Sequence, residues 1–128
     1  MSSPRVFPSS AFLMPTDDEP IRSVVTESAH AVVVAWYIQA GQQVLPHIHP
    51  QGQDTWTILQ GQGQYYLDPS GTQQPIVAGD IVVAPMGCTH GVLNDDDQPL
   101  IFISVVTPAD AGYQLASAVD ASVSETIT

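Results

Sequence analysis

Two imidazoles and a carboxylate fall within one short segment of the chain, at spacings that suit a metal site. His47 and His49 are two residues apart in a segment, residues 44–48, whose valine, leucine and isoleucine favour a strand. Both rings therefore leave the same face of that strand. The turn sequence Pro-Gln-Gly-Gln at 50–53 lets the chain double back, so that Asp54 can face the same centre. Because imidazole and carboxylate groups bind first-row divalent ions, the segment predicts part of a metal site.

A second stretch carries a third histidine and completes a recognisable pattern. His90 follows a Pro-x-Gly turn at residues 85–87. Together, residues 41–94 resemble the paired motifs of the cupin superfamily. The first motif runs glycine, five residues, His-x-His, four residues, acid, six residues, glycine, and the second runs glycine, five residues, Pro-x-Gly, two residues, histidine, three residues, asparagine. The seventeen residues between them, 62–78, are close to the short gap typical of small bacterial cupins.

The resemblance implies one divalent transition metal ion held by His47, His49, Asp54 and His90. Ligand softness allows Fe, Mn, Ni, Zn, Cu or Co, and the sequence does not choose among them. The alternative is that the three histidines are hydrogen-bonded core residues. Two alternating rings plus a third histidine at the matching motif position favour metal ligation over that alternative.

Asp54 departs from the family pattern, which usually has glutamate at this position. Its side chain is shorter by roughly 1.3–1.5 Å, the projection of one methylene. Either the backbone comes closer to the ion, or the carboxylate touches the ion through a water molecule, and the second arrangement is the one we expect. Asp54 is also the candidate catalytic residue, as a ligand or as a base toward a bound substrate.

Several apolar residues are candidates to line a substrate pocket. Under strict strand alternation Trp56 and Ile58 share the inward face with Asp54. An ordinary core role is the alternative for every member of the set. The predicted substrate-pocket residues are Trp56, Ile58, Tyr66, Val92 and Phe102.

Short β-branched runs with regular Gly and Pro punctuation predict an all-β fold. With the resemblance, this gives a single-domain cupin (jelly-roll-like) β-barrel of two antiparallel sheets. The expected organisation is an N-terminal arm at 1–20, a cupin β-barrel domain at 21–108 and a C-terminal tail at 109–128. In the arm we expect extended pieces near 6–7 and 11–14, and in the tail a helical turn or two at 111–119 followed by a loose end at 122–128. The strands are expected at 21–28, 31–39, 44–48, 55–60, 63–67, 76–77, 81–84, 90–93 and 100–106.

Charge restricts the partners. Thirteen Asp and Glu against two arginines give the 128-residue chain a net charge of -11, which repels phosphate backbones and anionic lipid surfaces. We therefore expect a small-molecule substrate and no nucleic-acid or membrane partner. With only Arg5 and Arg22 to pair anions, polyphosphates are poor candidates. A single cysteine, Cys88, allows no internal disulfide, and with no apolar run of signal-peptide length near the N-terminus we expect a cytoplasmic protein.

A homodimer is also expected. The proline-rich arm and the strand at residues 31–38, which is apolar on both faces, need a cover that one small barrel provides poorly.

The sequence leaves two kinds of function open. One is a metal-dependent enzyme acting on a small organic molecule through an open three-histidine site with an added carboxylate, of dioxygenase, isomerase, lyase or decarboxylase type. The alternative is a non-catalytic, metal-containing barrel that binds or senses a small molecule. A metal-free structural barrel is disfavoured because all the ligand histidines are present.

Overall fold

The chain folds into two antiparallel five-stranded sheets that face each other. The structure, a computed structural model, describes residues 3–116. The first sheet has the strand order β1-β2-β9-β4-β7 and the second has the order β10-β3-β8-β5-β6. The strands are β1 (Ser23–Glu27), β2 (Val32–Ile38), β3 (Gln43–Ile48), β4 (Gln53–Gln60), β5 (Gln62–Tyr66), β6 (Gln73–Val77), β7 (Ile81–Ala84), β8 (His90–Leu93), β9 (Leu100–Thr107) and β10 (Gln114–Leu115). The expected all-β barrel of two antiparallel sheets is confirmed.

The core lies between the sheets and is built from the inward face of each strand. Trp56 stacks on Phe102 with ring centroids 4.2 Å apart, and Tyr65 meets Trp56 edge-on at 5.4 Å. Aromatic pairs in these geometries add stability beyond the area they bury. The buried cluster contains Ile38, Trp56, Ile58, Tyr65, Ile76, Val92, Leu100 and Phe102.

Strand β2 is covered on both faces within a single chain. Trp36 and Ile38 face the core. On the opposite face Ala35 is only 1% exposed, while Val33 and Tyr37 are half-buried. The strand therefore needs no second subunit to bury its outer alanine, and the homodimer stays a prediction.

The N-terminal arm differs from the expected extended pieces. Ser9–Phe12 forms a 3₁₀ helix, in which the Ala11 amide donates to the carbonyl of Pro8. The rings of Phe7 and Phe12 meet edge-on at 6.2 Å, a contact that the turn makes available. The prediction of an extended segment at 11–14 was therefore wrong for its first two residues. Between residues 3 and 116 no helix has the length and apolar character needed to span a bilayer.

The tail also differs from expectation where it is described. Gln114 and Leu115 form β10 and pair with Ile48 and His47 of β3, so residues 111–116 form no helical turn. The open edge of β3 offers unpaired backbone groups, and β10 satisfies them. The remainder of the predicted helix and the predicted loose end at 122–128 lie outside the described residues.

Candidate metal centre

The four predicted ligands meet between the two sheets. His47 on β3 is directly opposite His90 on β8, and Asp54 approaches from β4 in the other sheet. One potential ligand atom from each of His47, His49, Asp54 and His90 lies within 4.8 Å of the others. His49 is half-buried, and the other three residues are buried. Residues from both motifs thus converge on one point inside the barrel.

A glycine allows the two histidine strands to approach each other. The β3–β8 register shifts between Val44 and His47, so that β3 bulges opposite Gly91. A Cβ atom at Gly91 would lie 2.5 Å from the carbonyl oxygen of Val44, closer than side chains come to backbone. Glycine at this position therefore permits the bulge that sets His47 opposite His90.

All three imidazoles are oriented by backbone carbonyls. Each ring directs its Nδ1 atom at a carbonyl oxygen, which can only accept a hydrogen bond, so Nδ1 carries the proton and donates. The acceptors are the carbonyls of Leu45 for His47 (2.7 Å), Gly112 for His49 (2.7 Å) and Cys88 for His90 (3.0 Å). In the neutral rings the lone pair then lies on Nε2. This is the arrangement by which proteins fix the tautomer of metal-binding histidines.

The Asp54 carboxylate completes a cluster of acceptors. Its Oδ1 atom accepts a hydrogen bond from the Ser104 hydroxyl. Its Oδ2 atom lies 3.0 Å from Nε2 of His90 and 3.3 Å from Nε2 of His49. Neutral imidazoles and a carboxylate at these distances direct lone pairs at one another, which is unfavourable unless a proton or a metal cation lies between them.

The distances match those of ligands on a single ion. Two ligand atoms that each lie about 2.1 Å from one ion, at a right angle to each other, are about 3.0 Å apart. The separations of Asp54 Oδ2 from His90 and His49 are of this size. They suit direct coordination by Asp54 better than the water-mediated contact expected from the sequence. The residues present therefore fit a divalent metal ion.

The protonation of the cluster without a metal follows from burial and its hydrogen bonds. Burial, together with the nearby His90, lowers the pKa of His47 from 6.5 to about 3. Burial also lowers the pKa of His49, but the hydrogen bonds to Asp54 and to the Gly112 carbonyl outweigh it and the net pKa is raised. For Asp54, burial raises the pKa, but the hydrogen bonds from His49 and His90 outweigh it and hold the pKa well below its usual range. A bound metal ion would replace the proton shared by His49 and Asp54.

The predicted pocket residues lie mostly inside the core. Ile58, Val92 and Phe102 belong to the buried cluster, at 2% exposure or less. Trp56 belongs to it as well and reaches the metal cluster, since its ring lies 5.9 Å from that of His90. Tyr66 donates its hydroxyl to Gln43 at 2.7 Å. Contact of these five residues with a substrate stays a prediction.

Three residues that the sequence did not single out contact the cluster. The Tyr113 ring stacks on His47 with centroids 4.8 Å apart. Ser104 binds the carboxylate of Asp54, and Gly112 orients His49. Each of the three lies outside the two motifs and at least 50 residues along the chain from the residue that it contacts. No local spacing could have revealed them.

Comparison with known proteins identifies the family. The model of the Cupin domain family matches residues 34–106, more than half of the chain, and the chain belongs to this family. The fold of this chain is similar to that of an uncharacterized conserved protein with a double-stranded β-helix domain from Klebsiella pneumoniae. That protein is 43% identical, with a TM-score of 0.86, and the match covers 90% of this chain and 99% of that chain. Among curated proteins, none matches the chain in sequence.

More distant structures share the fold alone. A structure of the polyketide cyclase RemF from Streptomyces resistomycificus is 18% identical with a TM-score of 0.62, covering 70% of this chain and 65% of that chain. A structure of oxalate oxidase is 15% identical with a TM-score of 0.64, covering 77% of this chain and 55% of that chain. Enzymes therefore occur among the structural neighbours, and the fold by itself does not choose a reaction.

Proposed function

We propose that this cupin is a metal-dependent enzyme that acts on a small organic molecule through the centre formed by His47, His49, Asp54 and His90. One observation supports the proposal above the others. The three imidazoles have their Nδ1 protons bound to backbone carbonyls, so that the neutral rings offer the lone pairs of their Nε2 atoms to the same centre as the Asp54 carboxylate. Such a buried arrangement of lone pairs suits a cation. The distances from Asp54 Oδ2 to the Nε2 atoms of His49 and His90 are those of two ligand atoms on one ion.

The donor set leaves room for a substrate. Four protein ligands on a six-coordinate ion leave two positions open. A divalent ion at this centre would polarise a carbonyl, enol or carboxylate oxygen, and a redox-active ion would add oxygen chemistry. The type of reaction, whether dioxygenase, isomerase, lyase or decarboxylase, is left open by the donor set.

The Asp54 carboxylate serves better as a ligand than as a base. A general base works best when its pKa lies near the working pH. In the metal-free cluster burial raises the pKa of Asp54, but its hydrogen bonds outweigh burial and hold the pKa well below its usual range, and a bound cation would act in the same direction. We therefore assign Asp54 the role of holding the ion and keeping the two histidine nitrogens in place.

Trp56 provides a hydrogen-bond donor beside the centre. Its indole Nε1 is buried and has no acceptor among the described residues. An unpaired buried N–H costs about 1–3 kcal/mol, so such a group invites a partner. Since the ring lies against His90, an oxygen atom of a substrate held at the centre would be a suitable acceptor. The apolar residues around Trp56 would exclude water from the same space.

One observation favours the alternative, a non-catalytic barrel that binds or senses a small molecule. The side chains of His90 and Asp54 are only 2% and 4% exposed, and that of His49 is 12% exposed. Access to the centre is thus narrow and passes by His49. A closed site of this kind would hold a structural ion equally well.

Metal analysis followed by turnover assays separates these functions. Protein purified without an affinity tag is analysed for metal, and oxygen uptake and substrate loss are then followed over a panel of diketones, catechols, thiols and keto acids. Metal-dependent turnover that is lost in His49→Ala supports the enzyme. One equivalent of metal with no turnover and no exchangeable water supports the binding barrel, and a metal-free protein that takes up no ion would overturn both.

A further inference from the structure

A cavity lies beside the candidate metal centre, between β2 and β3. Its volume is about 390 Å³, within the range of pockets that hold small organic ligands. Two residues that line it also contact His47. Tyr113 stacks on the imidazole, and the Leu45 carbonyl accepts a hydrogen bond from Nδ1. Two residues of the cavity wall therefore contact one residue of the proposed metal centre.

The N-terminal arm forms the rim of this cavity and is held in place by two glutamines. Gln39 donates its side-chain amide to the Thr16 carbonyl at 2.7 Å. Gln42 donates to the same carbonyl at 2.7 Å and to that of Asp18 at 2.6 Å. These bonds fix the arm across the turn between β2 and β3. As a result, Asp18 and Glu19 stand at the edge of the cavity.

The lining combines carboxylates with aromatic rings. Trp36 and Tyr113 both contribute to the walls, and Trp36 is backed by Phe102 at 6.3 Å. Within residues 3–116 no lysine, arginine or histidine lines the cavity. An organic anion would meet two carboxylates with no counter-charge in the lining itself, whereas an ammonium group would be attracted by the carboxylates and by the ring faces.

We propose that this cavity binds a small arylalkyl amine, with its ammonium group at Asp18 and Glu19 and its ring against Trp36 and Tyr113. The proposal depends on the walls and the charge of the cavity and not on any reaction at the metal. It names a ligand class, primary amines that carry one aromatic ring. A molecule bound there would contact Tyr113 and Leu45, which in turn contact His47, so the amine is the class of compound to offer the centre first.

Three probes of one shape and different charge test the proposal. Tyramine, tyrosol and 4-hydroxyphenylacetate carry the same phenol and differ in an ammonium, a hydroxyl or a carboxylate at the end of the chain. Binding to the full-length, metal-free protein is followed through the indole N–H signal of Trp36 in NMR spectra. We expect tyramine to bind about ten-fold more tightly than tyrosol, and 4-hydroxyphenylacetate to bind more weakly than both.

Matched charge variants identify the site. The double variant Asp18→Asn/Glu19→Gln should reduce the preference for tyramine over tyrosol to about two-fold or less. The control Glu27→Gln/Asp97→Asn makes the same change of net charge at exposed positions outside the cavity, and should keep the preference. Tyr113→Leu should weaken the binding of all three probes.

Three results would overturn the proposal: equal binding of the three probes, a preference that survives in Asp18→Asn/Glu19→Gln, or an equal loss in the control pair. Circular dichroism and urea unfolding establish that each variant is folded. Because the probes are added to metal-free protein, a failure here is distinguishable from a failure of the proposed metal-dependent activity.

Discussion

The Nδ1 atom of His49 lies 2.7 Å from the carbonyl oxygen of Gly112, and the two residues are 63 positions apart in the chain. This bond orients one ring of the candidate metal centre from the segment that follows β9. The next residue, Tyr113, stacks on His47, and Leu115 pairs with His47 across the edge of β3. The segment at 112–115 is therefore part of the centre.

Moving the Gly112 carbonyl should weaken metal binding. Gly112 has φ +80, in the left-handed region, and a Cβ atom there would meet the ring of Pro50 at 3.4 Å. Gly112→Ala should lower the free energy of unfolding by about 1–2 kcal/mol, and should weaken metal binding by about ten- to a hundred-fold because His49 loses its orientation. The measurements are urea unfolding and competition with a chelator.

Gly71→Ala is the matched control for this variant. Gly71 has φ +89 with open space around the Cβ position, and it lies in a turn far from the centre in sequence. It should lose similar stability and keep its metal affinity. Equal metal affinities in the two variants would show that the Gly112 carbonyl does not orient the site.

Replacements of the ligands should follow the geometry. His47→Ala and His90→Ala should abolish retention of metal through gel filtration. Asp54→Asn should weaken binding by more than the roughly ten- to hundred-fold typical of residues that only orient a ligand. Asp54→Glu should also bind more weakly, because Oδ2 already lies 3.0 Å and 3.3 Å from the two histidine nitrogens and a longer side chain would overshoot. Tighter binding by Asp54→Glu would favour the water-mediated contact instead.

The hydroxyl of Ser104 should matter because its acceptor is buried. Ser104→Ala leaves the Asp54 Oδ1 atom without its donor and should cost about 1–3 kcal/mol of folding stability. It should also weaken metal binding by about ten- to a hundred-fold. Ser70→Ala is the control, since Ser70 donates a hydroxyl to the exposed carboxylate of Asp68 at 2.6 Å. The control should change neither quantity appreciably, and equal effects would contradict the role given to Ser104.

The local motifs predicted the four residues of the candidate metal centre, and alternation predicted several of their neighbours. His47, His49, Asp54 and His90 lie in two short stretches whose turns and strands can be inferred from nearby residues. Strand alternation likewise placed Trp56 inside. Contacts that depend on the return of distant strands, such as the bond between Ser104 and Asp54, have no local pattern.

Two adjacent tyrosines show where alternation becomes ambiguous. Tyr66 donates its hydroxyl to Gln43 and Tyr65 belongs to the interior cluster, while contact of Tyr66 with a substrate stays a prediction. A shift of one residue exchanges the two faces of a strand, and two neighbouring aromatic residues do not say which of them points inward. Strand β10 has only two residues, too few to produce a periodic signal.

The stability of the metal-free protein should fall as the pH is lowered. The pKa of His47 is lowered from 6.5 to about 3, chiefly by burial. Between these values the unfolded chain binds a proton that the folded chain does not, so stability decreases as pH falls from about 6.5 toward 3. Asp54, with its pKa also lowered, adds to the loss below about pH 4. The raised pKa of His49 has the opposite effect. The stability that this group contributes is present at low pH and is lost as the pH rises through its pKa in the folded protein.

Urea unfolding in the presence of a chelator, at several pH values from 7 to 4, measures this dependence. His47→Asn should reduce the slope of stability against pH. His30→Asn, at an exposed position outside the centre, is the control and should keep the slope of the parent. An unchanged slope in His47→Asn would show that another group carries the dependence.

Anomalous diffraction from crystals loaded with Mn²⁺ or Zn²⁺ tests the central claim most directly. We predict a single strong peak within about 2.3 Å of the Nε2 atoms of His47, His49 and His90 and of one Asp54 carboxylate oxygen. A peak at any other place, or no peak in protein that is folded and saturated with metal, would contradict the assignment of these four residues as the metal centre.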